Sequence, residues 1–291
     1  MCSSDLMYAI HAFGTEAQKS EWLPAMARGE KIGCFGLTEA DFGSNPSGMR
    51  TAARQDGSDW ILNGTKFWIT NATLADVAVI WAQTDAGIHG FLVPTDTPGF
   101  SARLIEHKLS LRASHTAELV LDNVRLPASA ILPDAKGLRA ALSCLNEARF
   151  GIVFGVVGAA RNCLETALTY SQTRVQFDRP IAGFQLTQAK LADMSTKLQT
   201  AYLLALHIGK LKDAEAVKPE HISVGKFNNA KAALDIARES RSILGGAGIS
   251  LEYPIMRHLT NLESVITYEG THEIHTLVIG EALTGIAAYR G

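Results

Sequence analysis

Two residue patterns divide this chain of 291 residues, and the change from one to the other constrains the fold more than any other feature. From about residue 31 to residue 133, alternating or β-branched runs are separated by turn residues. The runs are Asp59–Thr70, 77–83, 89–94 and 117–126, and the turn pairs are Asp56-Gly57, Asn63-Gly64 and Pro98-Gly99. This pattern predicts an antiparallel sheet or a small barrel.

Beyond Gly137 the apolar residues follow a helical period instead. One stripe comprises Leu191, Met194, Leu198, Ala201, Ala205 and Ile208, and the next comprises Val224, Phe227, Ala230, Leu234 and Ala237. Such stripes predict a buried face on each helix. Because short turns join the long helices, this half predicts an antiparallel bundle. Two shorter helical segments, 6–13 and 17–26, precede the strands.

The composition excludes several classes of protein. The net charge of −2 provides no basic field for nucleic acid. The cysteines lack metal-ligand or redox spacing, which predicts reduced thiols at Cys2, Cys34, Cys144 and Cys163. No apolar run matches the length of a membrane span, and no cleavable signal is visible. These features predict an intracellular enzyme of about two domains.

Residues 267–275 (TYEGTHEIH) are the most informative segment for function. Glu269 stands between Tyr268 and Gly270, after an apolar stretch and before a helical run, so we expect it where one helix ends and another begins. A carboxylate pressed against Tyr268 and a flat ligand loses solvation, which favours its use as a general base. Taken alone, a solvated surface glutamate is the competing interpretation.

Five further motifs occur in the chain with this one, in a fixed order. They are residues 34–39 (CFGLTE), 68–70 (WIT), 109–114 (LSLRAS), 174–177 (RVQF) and 244–248 (LGGAG). Together with the segment around Glu269, they resemble the motifs of acyl-CoA dehydrogenases. The subgroup that is most similar is the glutaryl-CoA dehydrogenases, judged by residues 145–152 (LNEARFGI) and by Tyr268 directly before the base.

The resemblance implies an α+β fold in which a central antiparallel β domain is followed by a C-terminal four-helix bundle. We therefore expect a β-barrel or sandwich domain over residues 31–135 and a helical bundle over 136–291. The family has a complete helical domain before the β domain. Residues 1–30 are expected to be a remnant of that domain, and the chain is expected to be N-terminally truncated.

The resemblance also implies FAD as cofactor. In the β domain, the implied flavin contacts are Phe35, Leu37, Thr38, Gly43, Ser44, Trp68, Ile69 and Thr70. Ser44 is also expected near the acyl-CoA. Without the resemblance, Trp68 is equally well explained as a core aromatic residue, and the two threonines as ordinary strand residues.

The helical half is expected to hold the adenine and diphosphate of a neighbouring subunit's cofactor, which implies a homotetramer. The implied contacts are Arg174, Phe177, Gln185, Ser242, Leu244, Gly245 and Gly246, with Thr271 and Glu273 close to the flavin. Glu273 departs from the amide that many relatives have there. The run 244–248 matches the dinucleotide fingerprint poorly and lacks a strand–helix–strand unit, so a Rossmann site is disfavoured.

Glu147 competes with Glu269 for the role of base. Some family members place the base immediately before the arginine of the 145–152 motif, where this chain has Ala148. One residue rotates a helical side chain by about 100°, so Glu147 is expected to point elsewhere, and Glu269 is the predicted base. The implied substrate contacts are Ser44, Asn146, Arg149, Tyr268 and Gly270.

His272 and His275 have a spacing that suits a metal, but no third ligand is within sequence reach, so no metal site is predicted. The implied activity is flavin-dependent α,β-dehydrogenation of an acyl-CoA, with oxidative decarboxylation of glutaryl-CoA to crotonyl-CoA as the favoured case. Electron-transferring flavoprotein is the implied acceptor. The location is expected to be cytoplasmic, or the mitochondrial matrix in a eukaryote. The alternatives are a short-chain acyl-CoA dehydrogenase or oxidase without decarboxylation, and a non-catalytic flavin-binding subunit.

Overall fold

The computed structural model describes residues 2–288, with side chains from residue 5 onward, and it divides into two compact units. The first unit comprises residues 1–108 and 112–148, and the second comprises residues 109–111 and 149–291. The long helix α3 (Gly137–Thr173) has its first turns in the first unit and the remainder in the second.

The first unit is a sheet with two short helices before it. The helices are α1 (Cys2–Phe13) and α2 (Glu16–Ala27), and the strands are β1 (Gly33–Gly36), β2 (Ala52–Asp56), β3 (Asp59–Thr70), β4 (Val77–Thr84), β5 (Gly87–Pro94), β6 (Phe100–Leu104), β7 (Thr116–Leu126) and β8 (Ile131–Lys136), with 3₁₀ turns at Pro46–Gly48 and Ala128–Ala130. The strand order is β6-β7-β3-β2-β4-β5-β8, and β1 pairs in parallel with β4. Most pairs are antiparallel, as the sequence predicts, and the four predicted strands lie within three residues of the observed ones.

Strand β3 is irregular at two places along its pairing with β7. One register shift lies between Leu62 and Gly64, and the other lies between Lys66 and Ile69. The pair Asn63-Gly64 was predicted to be a turn, but it lies inside β3 at the first of these shifts. A side chain at Gly64 would sit 2.6 Å from Thr51, and its φ of 146° is unfavourable for other residues. The glycine therefore permits a close approach of strands rather than a reversal.

The second unit is built of helices. It contains the remainder of α3, then α4 (Gln185–Asp213), α5 (Pro219–Leu244), α6 (Ile255–Val265) and α7 (His272–Thr284), with the short strands β9 (Val175–Gln176) and β10 (Arg179–Pro180) and 3₁₀ turns at Ile181–Gly183 and Gly245–Ile249. Its main core joins α3, α4, α5 and α6 through apolar side chains such as Ile152, Met194, Ala233 and Leu262. The predicted helical half with its long helices is confirmed.

The predicted buried stripe on α5 is wrong in one respect. Val224 is 37% exposed, whereas the polar side chains of Ser223, Lys226 and Asn229 are buried on the opposite side. These polar groups find hydrogen-bond partners inside the unit, so their burial is compensated. The stripe predicted on α4 agrees with the structure. Met194, Ala201, Ala205 and Ile208 are buried, and Leu191 and Leu198 are partly buried against the core that contains Met194. Ala205 and Ile208 belong to a second, smaller cluster with Val153 and Ile222.

Two expectations from composition concern α3 and the cysteines. Among the described residues, α3 alone is long and apolar enough to cross a membrane, by length and composition only, and 44% of its most apolar window is buried. The expectation that no run reaches that length is therefore wrong, although the core helix of a soluble protein passes the same test. Cys144 and Cys163 are buried thiols outside any disulfide, and burial raises the pKa of each to about 12. The Cys2 side chain lies outside the described side chains.

Candidate active site

The predicted base lies in the loop between α6 and α7, which we call the base loop (residues 266–271). This position agrees with the expectation that Glu269 stands where one helix ends and another begins. Its backbone is left-handed, with a φ of 53° at Glu269 followed by 91° at Gly270. A left-handed glutamate costs free energy, and such residues persist where surrounding contacts determine the backbone.

Two cations hold the carbonyl groups of this loop. Arg149 on α3 donates from Nε to the carbonyl oxygen of Glu269 at 2.7 Å. Lys226 on α5 donates from Nζ to the carbonyl of Gly270 at 2.6 Å and also to the carbonyl of Tyr268. Three consecutive carbonyls are thus bound by two positive side chains. The predicted substrate contact Arg149 is placed against the base itself.

His275 lies beneath the loop. A Cβ at Gly270 would sit 3.0 Å from its Nε2, so a side chain there would meet the ring. Nδ1 of His275 is 3.1 Å from the hydroxyl of Ser223 on α5. Burial lowers the pKa of His275 to about 3, with Lys226 and Arg149 acting in the same direction, so the ring is neutral. The positive φ therefore favours glycine at this position, and a side chain there would also crowd the ring of His275.

The first turn of α7 carries the remaining predicted residues of this segment. Thr271 is the N-cap, and its hydroxyl accepts a hydrogen bond from the amide of Ile274 at 3.3 Å. Hydrogen bonds from its own backbone and from Thr271 keep the pKa of Glu273 below its usual value. His272 stacks on Phe227 with ring centroids 4.1 Å apart. The stacked ring closes one side of this helix end.

In the first unit, the structure brings part of the predicted flavin edge together. The amide of Phe67 donates to the carbonyl of Thr38 at 2.8 Å, so the residues after β1 lie beside the end of β3. Trp68 lies in the second register shift of β3 with a φ of 63° and is 56% exposed. A bulge of this kind turns a side chain out of the sheet. The indole is thereby presented on the surface, where it contacts only the ring of Phe67 among the aromatic contacts of the described residues.

Other residues predicted at this edge differ in what they can offer a ligand. The side chains of Phe35, Leu37 and Ile69 are buried in the unit's own core, so their backbone groups are what remains for a ligand. Gly43 and Ser44 are exposed in the loop after β1.

A buried ion pair supports this edge from inside. Nζ of Lys66 lies 2.9 Å from Oε1 of Glu39 and donates to the carbonyl of Leu37 at 3.0 Å. Glu39 also accepts the amides of Arg50 and Thr51 at 2.7 and 2.9 Å. Burial alone would raise the pKa of Glu39, but these hydrogen bonds and Lys66 outweigh it and leave the pKa lowered. Burial lowers the pKa of Lys66 to about 8 against the attraction of Glu39.

In the second unit, the predicted nucleotide contacts lie at two places. Arg174 and Phe177 belong to the hairpin of β9 and β10, where Phe177 is 88% exposed with a φ of 51°, and Gln185 begins α4. Ser242 accepts a hydrogen bond from Lys190 of α4 at 2.8 Å, so the end of α5 lies beside α4. Leu244 is buried in the core, and its side chain is not available to a ligand.

These features suit a flavin dinucleotide. Exposed aromatic faces at Trp68 and Phe177 can cover planar rings, and the exposed guanidinium of Arg174 suits phosphate oxygens. A Cβ at Gly245 or Gly246 would meet nothing within 4 Å, which leaves the backbone there open to close approach. Asn146 is half-buried on α3. The residues present therefore fit FAD in each unit.

Four polar residues support these sites in roles that were not predicted from the sequence: Glu39, Lys66, Lys226 and His275. Two of them had a signal. Lys226 is four residues from both Ile222 and Ala230, which places it on a buried helical face, and Lys66 is four residues from the buried Leu62 on β3, which places it on the same side of the strand. A lysine at an apolar position of a regular pattern indicates a buried cation with partners.

Comparison with known proteins gives the family. Family profiles match the acyl-CoA dehydrogenase N-terminal domain over residues 1–30, the middle domain over 34–124 and the C-terminal domain over 135–284. The short-chain specific acyl-CoA dehydrogenase of Homo sapiens mitochondria is 39% identical over 287 residues, which are 97% of this chain and 69% of that protein.

Solved structures agree with this family. A crystal structure of glutaryl-CoA dehydrogenase from Mycobacterium smegmatis has a TM-score of 0.98 and 64% identity, covering 99% of this chain and 75% of that one. A second structure from that organism, in complex with FADH2, has 66% identity with the same TM-score and coverage. Butyryl-CoA dehydrogenase from Megasphaera elsdenii has a TM-score of 0.92 and 36% identity, covering 96% and 75%. This chain therefore belongs to the acyl-CoA dehydrogenase family and is an enzyme that uses FAD to oxidise acyl-CoA thioesters.

Proposed function

We propose that the chain oxidises glutaryl-CoA and decarboxylates the product to crotonyl-CoA. The observation that carries this proposal is its 64% identity to the Mycobacterium smegmatis glutaryl-CoA dehydrogenase, against 36–39% for the short-chain and butyryl relatives. The chain also resembles the glutaryl-CoA dehydrogenases in having Tyr268 directly before Glu269, which is consistent with this proposal. Oxidation without decarboxylation is the competing activity.

Glu269 is proposed as the base that removes the α proton of the thioester. FAD, when bound, accepts the hydride from the β carbon. The α C–H bond becomes acidic only when the thioester carbonyl is polarised, and the backbone N–H of Glu269 is proposed as one donor to it. A preorganised donor of this kind contributes about 3–4 kcal/mol to stabilising enolate charge. The left-handed backbone at Glu269 sets the direction of that N–H group.

Tyr268 is proposed to shield the dienolate that remains when CO₂ leaves. The residue is half-buried, and Nζ of Lys226 lies 5.6 Å from its ring centroid. A ring held in this way excludes bulk water from the reacting carbon, which favours decarboxylation over release of glutaconyl-CoA. Ser44, Asn146, Arg149 and Gly270 are proposed as further substrate contacts.

The expected result of a specificity test is a preference for glutaryl-CoA over butyryl-CoA of about 10-fold or more in kcat/KM, which corresponds to about 1.4 kcal/mol in transition-state binding. The test uses the chain and a chimera that carries the N-terminal quarter of the Mycobacterium smegmatis enzyme ahead of it. The chimera is expected to show the preference. Released CO₂ is trapped in the same assays.

Two outcomes would contradict the substrate proposal. Equal kcat/KM for the two thioesters in the chimera, or oxidation without CO₂, would assign the chain to the short-chain enzymes. A chimera that binds FAD but oxidises neither thioester would support a non-catalytic flavin-binding subunit. Electron-transferring flavoprotein is proposed as the acceptor, and replacing an artificial dye with it in the assay tests that partner.

The nucleotide contacts of the helical half are proposed to serve the FAD of a neighbouring subunit in a homotetramer. If each FAD contacts two subunits, cofactor binding and subunit assembly are linked, because FAD then stabilises only the assembled state that binds it. Arg174→Ala is expected to release FAD and to weaken the oligomer together. Arg238→Ala is the control, since this exposed arginine pairs with Glu263 at 2.8 Å in the same unit but has no proposed cofactor role.

Light scattering and flavin absorbance across a concentration series measure both properties of these variants. A monomeric Arg174→Ala variant that retains tightly bound FAD would contradict the linkage. We also propose three domains, over residues 1–30, 31–135 and 136–291. The proposed location is the cytoplasm, or the mitochondrial matrix in a eukaryote.

A further inference from the structure

We infer that Lys226 is a positioning residue for dehydrogenation: it holds the base loop in the left-handed conformation from which Glu269 acts. The inference rests on the proposed role of Glu269 as base. Lys226 would touch neither the thioester nor the flavin. It would act through the backbone on both sides of the base.

The contacts of Lys226 span the base symmetrically. Its ammonium donates to the carbonyl before Glu269, that of Tyr268, and to the carbonyl after it, that of Gly270 at 2.6 Å. The side chain is 1% exposed, so no water competes for these bonds. One small cation can reach both carbonyls only when the chain between them turns sharply. The two positive φ values, 53° and 91°, produce that turn.

The carbonyl between those two is held as well. Arg149 donates to the carbonyl of Glu269 at 2.7 Å, so three successive carbonyls have charged donors from two helices. Charged donors form stronger hydrogen bonds than neutral ones. With its carbonyls fixed, the peptide that carries the N–H of Glu269 has one orientation. Misplacement of a reacting group by about 1 Å can lower a rate about 100-fold, so this orientation bears on catalysis.

Two opposing effects act on the charge of Lys226 beside the base: burial disfavours the charged form, and the nearby Glu269 favours it. Burial lowers the pKa of Lys226 to about 7, Glu269 raises it and Arg149 lowers it further. From α7, His272 and His275 also face it, and the pKa of both is lowered, so they add little positive charge at neutral pH. The attraction to Glu269 is mutual, so the charge of Lys226 favours the ionised form of the base.

The test compares Lys226→Met with Asn229→Leu in the FAD-loaded chain. Asn229 is the matched control because it is also 1% exposed and lies on the same side of α5. It donates to the carbonyls of Val153 at 3.1 Å and Ala201 at 2.9 Å, and neither belongs to the base loop. Both variants replace a buried hydrogen-bonding side chain with an apolar one of similar length. Only Lys226→Met removes a side chain that donates hydrogen bonds to the carbonyls of the base loop.

Lys226→Met is expected to lower flavin reduction at saturating acyl-CoA by about 10- to 100-fold with little change in KM, because alignment and not binding is lost. The acid limb of its pH–rate profile is expected to move to higher pH, since the base loses a nearby positive charge. Asn229→Leu is expected to keep the wild-type rate and profile although it unfolds more easily. Hydrogen exchange of residues 266–272, measured by mass spectrometry, is expected to rise only in Lys226→Met.

Lys226→Gln provides a second variant if the methionine variant does not fold. Its neutral amide retains one donor pair, so partial rescue of the rate and of loop protection is expected, with the pH profile still shifted. A folded Lys226 variant with wild-type rate, profile and loop exchange would overturn the inference. The inference would also be overturned if the Lys226 variants and Asn229→Leu lost the same fraction of the rate and of the protection of the base loop from hydrogen exchange. If Glu269→Gln remains active while the Lys226 variants fall, the proposed base is wrong instead, and the two failures are distinct.

Discussion

Replacing Glu269 with glutamine is expected to leave FAD bound and to slow flavin bleaching by an acyl-CoA about 1,000-fold, within the range for loss of a general base. The amide has nearly the shape of the carboxylate but does not accept the α proton. The contacts that Arg149 and Lys226 make with backbone carbonyls of the base loop do not require the carboxylate of residue 269, so they are expected to remain. The proposed N–H donor to the thioester therefore remains. Stopped-flow absorbance of the loaded protein measures the rate.

Glu147→Gln is the matched control and is expected to change the rate less than about twofold, as for a surface substitution away from the site. On α3, Ala148 is 2% exposed and Glu147 is half-buried, so the two side chains leave the helix in different directions. The position used for a base in some relatives is therefore occupied by an alanine. A wild-type rate in Glu269→Gln, or a large loss in Glu147→Gln, would contradict the assignment of the base.

The regular parts of this fold were predictable because they follow simple periods. Strand β3 was predicted with its observed bounds, Asp59–Thr70, from β-branched and aromatic residues between turn signals. The bulge that exposes Trp68 was not predictable, because it depends on the pairing of β3 with β7, which is distant in sequence. The motif around Trp68 indicated a ligand, and the pairing explains how the indole reaches the surface.

The support of the base loop was harder to predict than the base. The segment 267–270 identified Glu269, because its residue types are adjacent in sequence. The cations that fix its backbone come from α3 and α5, at 120 and 44 positions from the carbonyls they bind. The prediction of the buried face of α5 was also partly wrong, because it assigned every apolar residue of the stripe to the core. Val224 faces outward, while Lys226 and Asn229 occupy the interior with partners that only the tertiary structure provides.

Breaking the buried ion pair of the first unit is expected to be the most damaging single change to stability. Glu39→Gln is expected to destabilise the unit by about 3–5 kcal/mol, because it leaves Lys66 as an uncompensated buried charge. Lys66 has no exposed surface, and Glu39 also binds the amides of Arg50 and Thr51. The change would reach the predicted flavin edge as well, since Lys66 donates to the carbonyl of Leu37 at 3.0 Å.

Tryptophan fluorescence in urea reports this unit separately. The four tryptophans of the chain are Trp22, Trp60, Trp68 and Trp81, and all lie in the first unit. The measurement uses protein without FAD, since Trp68 is a predicted flavin contact. Glu30→Gln is the control: Glu30 pairs with Arg28 at 2.7 Å, but both side chains are more than half exposed. Solvent screens an exposed pair of this kind and it contributes little to stability, so this variant is expected to unfold almost as the wild type does.

The pH dependence separates a stranded charge from simple loss of packing. Burial already lowers the pKa of Lys66 to about 8, and removing Glu39 lowers it further, while the unfolded chain keeps the ordinary value of 10.5. Between that further lowered pKa and pH 8, the folded variant therefore binds fewer protons than its unfolded state, so its free energy of unfolding rises with pH while the wild-type contribution of Lys66 is constant. The difference between wild type and Glu39→Gln is expected to narrow as the pH rises toward about 8 and to stay constant above it. The double variant Glu39→Gln with Lys66→Met is expected to be more stable than Glu39→Gln alone, because no buried charge remains. Its difference from the wild type is also expected to lose the pH dependence that Lys66 causes in the single variant. A double variant as unstable as the single one, with a difference independent of pH, would show that packing around Glu39 and not the charge of Lys66 stabilises this edge.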